Sequence, residues 1–229
     1  MWQAINEELA DEGLVVMTVA IDRSPDDARP YIERAGATHP SVIDTEHRVA
    51  DLYNMVNVPT VVWIDEGGLI VRPQDVHYVS NDFASITKFH NRKPLAALRA
   101  WVRGEGPAYS GDAATDTKVP TESDQEARAA FALAWWLSRE GRSDSAERWF
   151  VRAGELAPHD FNIRRGSMPI RGIDPAGPAF YAMVGDWAAQ GKPYYLPLTD
   201  TATSADDYVA EPIEELTLDE IRQRIAENG

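Results

Sequence analysis

The sequence predicts an α/β domain over residues 1–104, a linker over 105–122, and a mainly α-helical region over 123–229. Three observations predict this order. Short runs of branched apolar residues, such as Val15-Val16-Met17-Thr18-Val19-Ala20-Ile21 and Thr60-Val61-Val62-Trp63-Ile64, alternate with helical periodicity in the first part. A stretch rich in Gly, Pro, Ala, Thr and Asp then lacks any period, as linkers and loops do. Beyond it only helical periodicity recurs. A chain of 229 residues has room for one large domain or two small ones.

The elements follow in order. The run Leu14–Ile21 reads as a strand buried on both faces, ended by Asp22–Pro25. Pro25-Asp26-Asp27 opens a helix, with acids suited to its N-terminus; Tyr31, Ile32 and Ala35 form its apolar side and Gly36 ends it. Ser41-Val42-Ile43 is a short strand. Val49, Leu52 and Tyr53 lie on one face of a second helix. Thr60–Ile64 is another buried strand, and the turn Asp65-Glu66-Gly67-Gly68 returns Leu69-Ile70-Val71 as its hairpin partner. Pro73–Arg92 carries no clear pattern. Leu95, Leu98, Trp101 and Val102 mark one face of a further helix, closed by Gly104.

In the C-terminal region Ser123-Asp124-Gln125-Glu126 reads as a capping box opening a helix to about Glu140. Ser143 or Asp144 starts the next helix, ended by Pro158. A further helix is expected around 180–190, then a loose tail over 199–212. Thr217-Leu218-Asp219-Glu220 is a second capping box, opening a terminal helix with Leu218, Ile221 and Ile225 on one side. With Ala127 as first position of a 34-residue period, Leu133, Ala134 and Leu137 fall at apolar positions of one helix. Ala146, Phe150 and Ala153 fall at those of the next. Small Ala residues let two helices approach, and Leu and Phe fill the gaps. Residues 127–160 therefore resemble a single tetratricopeptide repeat, or read more plainly as an ordinary α-hairpin. One repeat cannot bury its outer face, so it must pack on this chain or another.

Composition excludes several functions. There are 37 acidic residues against 22 basic ones, a net charge of −15, and no basic face to neutralise phosphates. Neither nucleic acid nor an anionic membrane is an expected partner. Without cysteine the chain carries no disulfide, thiolate metal site or thiol nucleophile. No apolar run is long enough to span a bilayer, and the first residues lack a signal-peptide pattern. A soluble, cytoplasmic protein is expected, unless a signal or anchor is encoded ahead of Met1.

Several segments of residues 1–104 resemble the thioredoxin-like redoxins, and most of all the TlpA-like thiol–disulfide oxidoreductases and their peroxidase relatives. Glu8-Leu9-Ala10-Asp11-Glu12-Gly13-Leu14-Val15-Val16 looks like the end of that family's first long helix and the strand after it. Ile21–Pro25 looks like the following loop. His39–Asp44 and Val49–Tyr53 look like the next strand and helix. Val56-Asn57-Val58-Pro59-Thr60, leading into Val61–Asp65 and Gly67–Ile70, is the most specific match. The resemblance implies a cis bond before Pro59 and a substrate- or peptide-binding loop at Val58, Pro59 and Thr60. The Val58 backbone would be free to pair with an extended peptide.

The departures are as informative. The family's Cys-x-x-Cys and the central strand before it have no counterpart, so the thioredoxin-like domain is expected to be incomplete. Its redox catalysis would be absent as the chain stands, and no cofactor is expected. Losing a central strand strands two rows of backbone groups, at about 1–3 kcal/mol each if buried. Three resolutions follow: the flanking strands pair directly, a segment of another chain fills the slot, or the natural protein begins upstream of Met1 with the redox motif. A family Glu near the redox site aligns with Arg23, which cannot shuttle protons, leaving the adjacent Asp22 as a candidate.

The remaining constellations are weaker. The histidines show no metal-ligand spacing; a metal site from His77 and His90 with Asp75 and Asp82 is not expected, and the two histidines are expected at the surface. Arg164, Arg165 and Arg171 form a locally basic segment, either a clamp for carboxylate or phosphate or a loop pairing with the chain's own acids. Asp206-Asp207 and Glu214-Glu215 read as solvated charge. A partner protein or a second copy is the expected partner class, bound through the helical region or its aromatic residues.

Overall fold

A computed structural model describes residues 2–76, 81, 84–214, 216, 217, 220 and 223. His77, Asp82 and Glu215, and Leu218, Ile221 and Ile225 of the expected terminal helix, lie outside the described residues. The capping-box contacts of that helix are present: Glu220 accepts from the Thr217 N–H and hydroxyl at 2.7 and 2.6 Å.

In chain order the elements are α1 (Trp2–Leu9), β1 (Thr18–Ala20), α2 (Pro25–Arg34), β2 (Ser41–Ile43), α3 (Arg48–Leu52), β3 (Val61–Ile64) and β4 (Ile70–Asp75). Then come α4 (Ala84–Thr87), α5 (Arg92–Val102), α6 (Ala113–Asp116), α7 (Glu122–Arg139), α8 (Ser143–Leu156), α9 (Phe161–Ile170), α10 (Pro178–Ala189) and α11 (Ala205–Ala210). The chain is thus mixed α/β, with short strands. It forms two compact units that exchange segments. Unit 1 comprises 1–47, 61–116 and 197–229; unit 2 comprises 48–60 and 117–196. This division differs from the sequential one expected from composition, because the 48–60 segment packs with the helices and the tail packs with the strands.

In unit 1 the strands form two separate sheets. β1 and β2 pair in parallel, Val19 opposite Val42. β3 and β4 pair antiparallel, Trp63 opposite Arg72, with irregular register on either side of Trp63. At the turn between them Gly68 has φ +80, a left-handed conformation that glycine adopts without Cβ strain, and its N–H reaches the Asp65 carbonyl. β4 runs on through Pro73 to Asp75, into a stretch without sequence pattern. The core of the unit gathers Ile5 and Leu9 of α1, Val16 just ahead of β1, Trp63 of β3, and Leu95 and Leu98 of α5. Trp63 stacks on Trp101 at 5.1 Å. Arg99 and Arg103 bind Glu8 and Glu12, which ties the outer ends of α1 and α5 together.

The doubly buried strand expected over Leu14–Ile21 is a correction. Only Thr18–Ala20 is strand, and none of those residues is buried. Val16 turns into the core, while Val15 and Met17 are 73% and 61% exposed. A strand is buried on both faces only where other elements pack on each side of its sheet. Tyr31 of α2 is likewise exposed; Ala28 is the residue that helix buries.

The tail is no loose segment. Lys93 donates to the Ala202 carbonyl and the Ser204 hydroxyl, and Thr203 accepts from the His90 N–H. Asp207, read as solvated charge, is fully buried. Burial pushes its carboxyl up, but the Ser204 N–H and hydroxyl and the Lys93 ammonium outweigh that and hold it at about 2.

Unit 2 is built on α7 and α8, a helical hairpin. Ala127, Ala130, Phe131, Ala134 and Leu137 meet Ala146, Phe150 and Ala153 in one core, with Phe131 edge-on to Phe150 at 5.6 Å. α9 adds Ile163 to it. Leu133, expected inside, faces outward at 38% exposure. The first cap also differs. Thr121 is the N-cap, exchanging hydrogen bonds with Asp124, and Ser123 bonds instead to the Leu156 carbonyl.

Candidate functional site

The strand edges of unit 1 come first. Among the described residues β1 has one strand neighbour, β2, and β3 has one, β4. The two expected gap-flanking strands therefore do not pair with each other. Yet Val16, two residues ahead of β1, and Trp63 of β3 share one core. Each strand presents an edge whose N–H and C=O groups can accept another strand.

The Val58-Pro59-Thr60 loop belongs to unit 2. The Val58–Pro59 bond is cis. The Val58 N–H donates to Asn57 Oδ1 at 2.9 Å, and its carbonyl accepts from the Tyr195 hydroxyl at 2.9 Å. Asn57 Nδ2 donates to the Tyr194 carbonyl, and Thr60 Oγ1 to the Asn57 carbonyl at 2.5 Å. The two backbone groups an extended peptide would use are thus engaged within the chain. The free Val58 backbone expected from the resemblance is corrected accordingly: the Tyr194-Tyr195 segment occupies its carbonyl.

Asp22 lies half-buried after β1. Burial, and then the Asp27 charge, push its carboxyl up. His47 stands within electrostatic reach of Asp22 and Asp44, and burial pushes its imidazole down despite both acids. The sequence signal for this proximity was slight, since Asp22 and His47 are far apart in the chain.

Arg164, Arg165 and Arg171 lie on α9 and its C-cap, not on a loop. Arg164 donates to the Pro158 carbonyl and stacks on Phe161; Arg165 donates to the Pro175 carbonyl and lies 4.3 Å over Phe180. Arg171 binds Glu147 through two hydrogen bonds of 2.6 and 2.7 Å. Each guanidinium has a partner within unit 2, so the three do not converge on an open anion site. His90 is buried, not a surface group: its ring bonds to Asn81 and to the Glu211 carbonyl. No cluster of three metal-ligating side chains occurs among the described residues, and no helix among them is long and apolar enough to cross a membrane.

Two of the buried charged groups, Arg72 and Asp160, carry no sequence signal of their burial. Arg72, on β4, is 2% exposed. Its guanidinium donates to Asp75, to both oxygens of Asp200, to Thr201 Oγ1 and to the Ala108 carbonyl, and lies over the Trp63 and Tyr109 rings. Burial opposes its charge, but Asp200 and Asp75 sustain it. The cluster fastens the tail to β4.

Asp160 caps α9, accepting from the Ile163 N–H at 3.0 Å. Burial pushes its carboxyl up to about 7, against a usual 3.8, although that N–H and Arg128 pull the other way. An acid with a raised folded pKa holds its proton longer folded than unfolded. Its contribution is therefore intact below pH 3.8 and lost as pH rises towards 7. Asp160→Asn keeps the acceptor and removes the titration. Above pH 7 the variant is expected to be more stable by about 1–3 kcal/mol, with the difference vanishing near pH 4. Urea midpoints of both proteins across that range measure it.

Compared with known protein families, curated proteins and solved structures, the chain finds no match in any of the three.

Proposed function

We propose that the chain is a thioredoxin-like redoxin that binds rather than reacts. An α/β unit without sulfur chemistry is joined to a helical unit with one tetratricopeptide-like hairpin. The occupant of its open site is an extended segment of another polypeptide. The observation that carries this reading is the pair of unshared edges: β1 and β3 each have a single strand neighbour among the described residues, and Val16, two residues ahead of β1, shares a core with Trp63 of β3. Two-stranded sheets are marginal alone, and parallel pairs are normally covered. A strand laid between β1 and β3 would pair with both by β-augmentation. Its alternate apolar side chains would cover Val15 and Met17, and basic flanks would suit a chain of net charge −15. The element order, with β1–β2 parallel and β3–β4 antiparallel, fits a thioredoxin sheet lacking its central strand.

Thiol chemistry cannot arise from a chain with no cysteine. In a dithiothreitol-dependent insulin-reduction assay the expected rate is that of the blank. A ten-residue peptide of alternating Val and Thr with Lys at each end is expected to bind, and a Pro-interrupted version is not. Reductase activity above background, or equal binding of both peptides, contradicts the proposal.

A further inference from the structure

We infer that the outward face of α7 binds the same face of a second copy of this chain. This surface lies in unit 2 and does not depend on the strand edges of unit 1. From Ala129 to Ser138, helix α7 carries no charged residue. Its inner face, Ala127, Ala130, Phe131, Ala134 and Leu137, fills the hairpin core. Ala129, Ala132, Leu133 and Trp136 fall at the i, i+3, i+4, i+7 spacing of a second face. All four are exposed, Leu133 at 38% and Trp136 at 47%. A solvated helix carries polar residues on its outer side, whereas one that is apolar all round is a buried helix. The middle of α7 is of the second kind with only one side covered.

The face is complementary to itself. Charges flank it only at its two ends: Glu122, Glu126 and Arg128 at the start, the last held by Asp51 and Asn54, and Arg139 and Glu140 at the finish. An isologous pair sets the two helices antiparallel about a two-fold axis. If they cross between Ala132 and Leu133, small Ala129 faces large Trp136 of the second copy, and Ala132 faces its Leu133. Glu126 then meets Arg139 of the second copy, and Glu140 faces its neutral Gln125. Glu126 is now in an exposed pair with Arg152 at 3.0 Å, and Arg139 lies over Trp135. Exposed contacts of this kind are weak enough to be exchanged. A parallel arrangement would set acid against acid. The net charge of −15 on each copy opposes association, so screening by salt should strengthen the pair overall.

The test is sedimentation equilibrium of the full chain over a range of concentrations, with circular dichroism of every variant to confirm folding. The wild type is expected to approach twice 25.4 kDa as concentration rises. Leu133→Glu with Trp136→Glu is expected to weaken dimerisation at least tenfold while leaving the helical signal unchanged, because both positions face outward. Glu126→Arg and Arg139→Glu are each expected to weaken it, and the two together to restore it. A wild type that stays monomeric throughout overturns the inference. So does a dimer indifferent to the outer-face pair, or one the charge swap fails to restore.

Discussion

Replacing Arg72 by Met is expected to destabilise unit 1 by about 3–5 kcal/mol, the range for breaking a buried ion pair by removing one partner. The Arg72 and Asp75 side chains are almost wholly buried, and Asp200 is largely so. Removing the guanidinium leaves two carboxylates in a low-dielectric site, deprives Thr201 and the Ala108 carbonyl of a donor, and takes the cation off Trp63 and Tyr109. Lys at this position restores charge but not the fork that reaches Asp75 and both oxygens of Asp200, so Arg72→Lys should recover only part of the loss. The pH dependence has a definite sign. Burial pushes the Asp200 carboxyl up, and Arg72 more than reverses this. A carboxyl with a lowered folded pKa stabilises above its unfolded value of about 3.8, and that stability is lost as pH falls. The gap between wild type and Arg72→Met should therefore narrow on acidification. Because Asp200 and Thr201 fasten the tail, the variant should also be cut faster by protease within 197–210. Urea denaturation and limited proteolysis measure the two effects.

Phe150→Ala is the second large expected effect, at about 3–5 kcal/mol. Phe150 is buried between the helices of the hairpin, edge-on to Phe131, and the surrounding Ala146, Ala153, Ala130 and Ala134 are too small to collapse into the cavity. The contrasting substitution is Trp136→Ala on the same hairpin. In dilute, monomeric protein it should cost well under 1 kcal/mol, since an exposed side chain loses little packing. Thermal unfolding followed at helical wavelengths compares them. Equal losses would mean that the division of α7 into inner and outer faces is wrong.

What was legible in the sequence was local. The β3–β4 turn follows from Gly68, the α7–α8 core from its spaced Ala, Leu and Phe, and the start of α2 from Pro25. The capping box of α7 was legible in kind but not in place. Thr121-Glu122-Ser123-Asp124 and Ser123-Asp124-Gln125-Glu126 both fit the pattern, and only geometry selects the first. α9 was hidden by Gly166 and Pro169 within it, although Asp160 ahead of Phe161 is an N-cap residue that points to a helix start. Long-range pairs left no trace. Arg72 and Asp200 lie 128 positions apart, so no periodicity links β4 to the tail, and Asp206-Asp207 reads as surface charge until Lys93 is seen against it. The Val58 loop was legible as a feature. Its engagement by Tyr195, 137 residues on, was not.

The open edges of β1 and β3 are tested most directly by amide hydrogen exchange on the full chain, read residue by residue without any added peptide. The amides of Thr18–Ala20 and Val61–Ile64 that have no partner in β2, in β4 or in the Pro40 carbonyl, which accepts from Thr18, are expected to exchange nearly as fast as an unfolded chain, while Leu95 and Leu98 in the core remain protected. Strong protection of both sets, as in two strands already paired along those edges, would contradict the account.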